Sequence, residues 1–176
     1  MANKKGQIWI EAVLYTLIGL ALIGIALAFI TPKMNESKDR AVVEQTIESL
    51  DTFDFKIREV LERGEGNIRA VDFTIKKGEL YVDAQGDRIS IILEEIGKPY
   101  SQEGVDVPVG NVRVRTEKKQ KSYYVNVSLS YDNLDLKYDG EDIERKFTSG
   151  SLPYKFSISN EGNDGGKTEI NVEEQG

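Results

Sequence analysis

Residues 8–31 read IWIEAVLYTLIGLALIGIALAFIT, an apolar run whose single ionisable side chain is Glu11. About 20 predominantly apolar residues are enough for a helix to cross a bilayer. A conventional secretory signal is shorter, with an apolar region of about 7–15 residues followed by a small-x-small cleavage site. The next residues, Pro32-Lys33-Met34, provide no such site. We therefore expect residues 7–31 to form a retained transmembrane helix.

A second helical pattern follows this run, over residues 32–64. Pro32 is expected to kink the helix or to end it after Ile30, because proline lacks an amide hydrogen and restricts the residue before it. Beyond Pro32, apolar residues recur at steps of three and four, which is typical of an amphipathic helix: Val43, Ile47, Leu50, Phe53, Ile57 and Val60 or Leu61. Gly64 is the expected cap after a last helical residue at Arg63.

From residue 65 to 176 the apolar period changes to two, which indicates β-strands. Turn residues such as Gly78, Asp132-Asn133 and Asp139-Gly140 separate the runs and favour short antiparallel hairpins. We predict nine strands: 69–75, 79–83, 88–94, 112–117, 123–131, 134–138, 145–149, 153–159 and 168–172. The expected fold class is therefore α+β, with a long N-terminal helix, transmembrane and then amphipathic, followed by an antiparallel β-sandwich-like domain.

Composition narrows the functional classes. The formal net charge is −7, which argues against nucleic acid as a partner. The chain has no cysteine and no histidine, so thiolate or imidazole metal sites and triads that use these residues are excluded. A hydrolase would need two carboxylates brought together by the fold, and no local motif indicates such a pair. We expect no enzyme and no cofactor.

The residues before the apolar run carry a resemblance. Lys4-Lys5-Gly6-Gln7, followed by Glu11 and the apolar helix, resembles the class III signal peptide of archaeal type IV pilins. Trp9 departs from the family pattern, which often has serine at this position. The resemblance implies that residues 1–6 are a leader, that a prepilin peptidase cuts after Gly6, and that Glu11 becomes the fifth mature residue.

The same resemblance implies a function. The chain would be a pilin-like structural subunit, held in the cell membrane by one span with its β-domain outside, and then assembled into an extracellular filament for adhesion or surface assembly. Its partners would be copies of itself or other pilin-like subunits, the prepilin peptidase, the membrane and the pilus assembly machinery. The alternative is a single-pass membrane-anchored extracellular β-domain that binds a ligand and never polymerises.

Two triplets match the N-glycosylation rule, Asn35-Glu36-Ser37 and Asn126-Val127-Ser128. Asn126 falls in a strand whose alternation places Val125 and Val127 on one face, so we expect Asn126 to face solvent. Archaeal pilins that this chain resembles are often glycosylated. Asn126 and Asn35 are therefore candidate acceptors. Two acidic stretches, 139–142 and 161–164, are interpreted as solvated turns, because neither has the spacing of a calcium-binding loop.

Overall fold

The computed structural model describes residues 4–164 and 166–175, with side chains described from residue 8 to 163 and from 166 to 175. The chain divides into two compact units, one that ends at Lys38 and one that begins at Asp39. A single long helix, α1 (Lys4–Arg63), supplies the first unit and the start of the second, and β-strands follow. The predicted α+β class is confirmed.

Helix α1 continues through Pro32, so of the two expectations for this proline, a kink or an end after Ile30, the end is wrong. A proline inside a helix removes one backbone hydrogen bond and costs about 3 kcal/mol. The bond lost at Pro32 is the one to the carbonyl of Ala28, four residues earlier; the hydroxyl of Thr31 donates to a different carbonyl, that of Leu27, at 2.8 Å. The predicted C-terminus is confirmed, because α1 ends at Arg63 and Gly64 follows in the left-handed region with φ 83°.

Ten strands lie in the described part of the second unit, in two sheets. They are β1 (Ile68–Phe73), β2 (Glu79–Asp83), β3 (Arg88–Ile96), β4 (Asp106–Val109), β5 (Val112–Lys119), β6 (Ser122–Ser130), β7 (Leu134–Tyr138), β8 (Glu144–Thr148), β9 (Tyr154–Asp164) and β10 (Lys167–Glu174). One sheet has the order β1-β9-β10-β7 and the other has the order β4-β5-β6-β3-β2-β8.

Three features of the sheets differ from the prediction. Residues 161–164, predicted to form a turn, belong to strand β9 instead. Strand β4 was not predicted, because Pro108 interrupts its pattern; it lies at the edge of its sheet, where a strand tolerates proline. Strand β10 pairs antiparallel with β9 but parallel with β7, so the described sheets are not wholly antiparallel. Local alternation of side chains is the same in both kinds of pairing, and it therefore carries no information about strand direction.

The core of the second unit contains the apolar stripe of α1 and the inward side chains of both sheets. Phe53 of α1 is fully buried, and its ring meets Phe73 of β1 and Phe156 of β9 edge-on at 5.7 and 5.8 Å between centroids. Such aromatic pairs add about 0.5–1.5 kcal/mol beyond their buried area. The predicted stripe is confirmed, and it makes α1 an integral part of the β-domain.

Candidate membrane helix and the residues that tie it to the β-domain

The first unit presents exposed apolar side chains along the described part of the helix. None of the described side chains from residue 8 to 38 is buried, and Trp9, Leu20 and Phe29 are 70%, 61% and 75% exposed. The helix is long and apolar enough to cross a membrane. Because leaving this much apolar surface in water is costly, the segment needs lipid or other helices as its environment.

The polar groups of this segment fit such an environment. The hydroxyls of Thr16 and Thr31 donate to the carbonyls of Ala12 and Leu27, each at 2.8 Å. A hydroxyl that bonds within its own helix does not need a water partner in a bilayer. Glu11 is the ionisable residue of this apolar run, and its exposed carboxylate lies near the start of the run. A charged group here is costly in lipid, although less so than at a helix centre.

The leader residues lie at the edge of the described chain. The backbone of Lys4, Lys5, Gly6 and Gln7 is helical and continuous with the apolar segment. Their side chains lie outside the described set, as do residues 1–3 altogether. The predicted cleavage between Gly6 and Gln7 and the predicted assembly role of Glu11 therefore stay predictions.

The second unit begins with contacts between α1 and the loop after β3. The carboxylate of Asp39 accepts the amide of Gly97 at 2.8 Å, 58 residues away in the chain. Arg40, the next residue, is paired with Glu44 at 2.9 Å and lies 5.7 Å from the centre of the Tyr100 ring. The helix is thus held by the β-domain from its first residue in this unit.

A buried carboxylate, Asp54, joins α1 to two residues of the β-domain through hydrogen bonds. Asp54 is 2% exposed and accepts three side-chain hydrogen bonds, from Arg58 at 2.6 Å, Asn111 at 2.9 Å and Tyr131 at 3.1 Å. Burial and the nearby carboxylate raise the pKa of Tyr131 well above its usual range, and the bond to Asp54 raises the pKa of Arg58. Tyr131 is therefore fixed as a donor and Arg58 as a cation at any physiological pH.

Two further contacts secure the last turns of α1. Glu59 accepts from Arg69 of β1 at 2.7 Å and from Lys56 at 3.1 Å, and these bonds lower the pKa of the Glu59 carboxyl. The side-chain amide of Asn160 donates to the carbonyl of Val60 at 3.1 Å. The helix end is thereby joined to both β1 and β9.

Neither Asp54 nor its partners was predicted as a functional group. One feature of the sequence could have indicated this role: Asp54 directly follows Phe53 of the apolar stripe. A carboxylate at the edge of a buried stripe needs a hydrogen-bond partner. Its partners Asn111 and Tyr131 are 57 and 77 residues away, and no local pattern connects them.

The two candidate glycosylation sites lie in different surroundings. Asn35 is exposed on α1 within the first unit. The sequence predicts that Asn126 faces solvent; on β6 it lies on the face opposite the buried Val125 and Val127, but it is only half-exposed, with Ile92 of β3 and Arg115 of β5 beside it across the sheet. Its Oδ1 atom is buried and has no hydrogen-bond partner. Glycosylation of either residue stays a prediction.

The acidic turn after β7 is held by a lysine of the same sheet. Lys137 lies 2.7 Å from Asp142 and 3.2 Å from Asp135, and the bond to Asp142 raises the lysine pKa to about 12. Among the described residues, no group of three acidic side chains is placed to hold a metal ion.

No protein-family model matches the chain, and neither a curated protein nor a solved structure shows significant similarity to it. Any assignment of function therefore depends on the residues and geometry described above.

Proposed function

We propose that this chain is a pilin-like structural subunit of an archaeal type IV pilus-type surface filament. The observation that carries the proposal is the combination of a Lys4-Lys5-Gly6-Gln7 junction with a continuous helix whose first part is apolar and uncovered and whose second part is built into a β-domain. The subunit would be held in the membrane by one span with its β-domain outside, and it would serve adhesion or surface assembly.

Maturation would proceed by cleavage after Gly6. A prepilin peptidase would release residues 1–6 and leave a positive α-amine on Gln7. The Glu11 carboxylate of a neighbouring subunit would then pair with this amine in the apolar interior of the filament. An unpaired charge is expensive in a medium of low dielectric constant, so this pairing would also set the axial register between subunits.

The decisive variant is Glu11→Ala, with Thr16→Ala as a matched control from the same helix. Membrane insertion should be intact in both, because neither change adds a polar group to the apolar segment. Surface filaments should be absent with Glu11→Ala and normal with Thr16→Ala, as seen by negative-stain electron microscopy of cells. Normal filaments with Glu11→Ala would contradict the assembly role of Glu11.

N-terminal sequencing of the mature protein separates this proposal from the membrane-anchored alternative. A mature chain that begins at Gln7 supports processing by a prepilin peptidase. A mature chain that retains Lys4-Lys5-Gly6 favours an anchored β-domain that binds a ligand without polymerising.

A further inference from the structure

A groove in the second unit lies between one face of α1 and the connection from β1 to β2. It has a volume of about 260 Å³, close to the lower end of small-molecule sites at about 300 Å³. Its walls are Gln45, Thr46, Glu48, Ser49 and Thr52 on the helix and Thr74 to Lys77 on the connection, and the buried side chains of Ile75 and Ile91 form its floor. None of the contacts described above involves the side chain of a residue in the helix wall.

The helix wall offers mainly acceptors. The hydroxyls of Thr46, Ser49 and Thr52 each donate to the backbone carbonyl four residues earlier, at 2.8, 2.8 and 2.9 Å. A hydroxyl has one hydrogen, so these three can only accept from a ligand. They recur every three residues, about 4.5 Å apart along the axis. The carboxylate of Glu48, between them, is also an acceptor.

The opposite wall offers donors. Lys76 and Lys77 carry ammonium groups, which donate and cannot accept. Lys76 is exposed, while Lys77 is half-buried, donates to the carbonyl of Glu95 at 3.2 Å and lies 3.9 Å from the carboxylate of Asp39. The two sides of the groove therefore differ: Lys76 and Lys77 provide ammonium groups, whereas the helix provides mainly acceptors, with the side-chain amide of Gln45 able both to donate and to accept.

This arrangement selects one class of ligand. A cation would satisfy the helix wall but would meet Lys76 and Lys77. An anion would satisfy the lysines but would meet Glu48 and three hydroxyl lone pairs. A neutral hydroxyl group both donates and accepts, so a ligand that carries several of them can serve both walls at once.

We infer that the groove binds a neutral saccharide, with its hydroxyls donating to Thr46, Ser49 and Thr52 and accepting from Lys76. Leucine at these helix positions would fill the groove over Ile75 and Ile91. The saccharide site does not depend on filament formation, since every residue of the groove belongs to the second unit.

The test uses the full chain in lipid nanodiscs and three sets of probes. The first set is neutral trisaccharides built from glucose, mannose, galactose or N-acetylglucosamine; the others are a uronate trisaccharide and the polyamine spermidine. Saturation-transfer NMR and calorimetry measure binding. We expect at least one neutral trisaccharide to bind, and to bind more tightly than the uronate or spermidine.

Three variants locate the site. Ser49→Leu should weaken saccharide binding by at least about tenfold because it fills the groove, whereas Ala41→Leu, an exposed position of α1 outside the groove, should leave the affinity within about twofold; a tenfold change is about 1.4 kcal/mol. Thr52→Val keeps the side-chain shape and removes one acceptor, so it should weaken binding severalfold while circular dichroism stays unchanged.

Each other outcome overturns the inference. If none of the neutral trisaccharides binds, the groove is not a saccharide site of this class. If the uronate or spermidine binds best and Ser49→Leu abolishes that binding, the ligand class is wrong. If a neutral trisaccharide binds equally to wild type, Ser49→Leu and Thr52→Val, the site lies elsewhere.

Discussion

The two parts of helix α1 have the same backbone and opposite surroundings. From residue 8 to Lys38 no described side chain is buried, although most are apolar. From Asp39 to Arg63 the apolar side chains form a stripe, and its central members Leu50, Phe53 and Ile57 are fully buried. The first part carries its apolar residues on all sides, and the second carries them mainly on one face, with Phe55 outside it. A helix that is apolar all round needs a surrounding apolar medium, whereas an amphipathic one needs a single surface.

Helical periodicity and overall apolarity give different information about a helix. Periodicity identifies the part of α1 that its own chain will cover. The uniform apolarity of residues 8–31 identifies a part that must be covered by something else, and this distinction is readable without any knowledge of the fold.

The largest effect is expected from removing the first part of α1, up to Lys38. A chain that starts at Asp39 should stay in the soluble fraction without detergent and should unfold cooperatively, because its core is complete. The full chain should partition entirely into membranes or detergent micelles. Centrifugal fractionation and thermal unfolding followed by circular dichroism measure both properties. An unfolded or aggregated truncated chain would show that the first part supports the β-domain after all.

A smaller effect distinguishes two phenylalanines that are two residues apart. Phe53→Ala should lower the free energy of unfolding by about 3–5 kcal/mol, because it leaves a cavity among Phe73 and Phe156. Phe55→Ala, at a side chain that is 61% exposed, should change it by less than about 0.5 kcal/mol. Denaturant unfolding of the full chain in detergent gives both values. Similar losses for the two variants would refute the stripe as the core face of α1.

The smallest effect depends on pH. Contacts with Arg69 and Lys56 place the pKa of Glu59 below its usual value in the folded chain. The folded state therefore holds this proton less tightly than the unfolded state does, so the stabilisation is complete above the usual glutamate value of about 4.3 and is lost as the pH falls through the folded value.

Glu59→Gln should thus be less stable than wild type near neutral pH, and this difference should shrink below about pH 4.3. Glu62→Gln, which removes the same charge from an exposed position of α1, is the matched control. Unfolding free energies between pH 3 and 7 measure the effect. A difference that stays constant over this range would contradict the proposed ion pairs of Glu59.

The parts of the fold that could be predicted are those that depend on neighbours in the chain. The stripe of α1, its end at Arg63 and the inward face of β6 follow from periods of 3.6 and 2 and from one glycine. Strand β4 was not predicted because Pro108 interrupts its pattern. A strand can contain this proline because β4 lies at the edge of its sheet.

The features that could not be predicted depend on partners distant in sequence. The parallel pairing of β10 with β7 and the bonds of Asn111 and Tyr131 to Asp54 join segments that are tens of residues apart. A single sequence records which side chains seek burial or a partner, and it does not record which distant segment supplies them. The groove beside α1 could not be predicted for the same reason. In the sequence Ser49 and Thr52 look like ordinary polar helix residues, and only the fold brings the β1–β2 connection next to them.

The position of β10 has a consequence for the order in which the protein is made. The strand lies between β9 and β7, so within the described sheet β7 has no neighbouring strand until residues 167–174 have left the ribosome. The apolar segment, by contrast, emerges before any strand. The apolar segment can therefore meet an apolar environment while the four-stranded sheet is still incomplete, and completion of that sheet must follow the synthesis of β10.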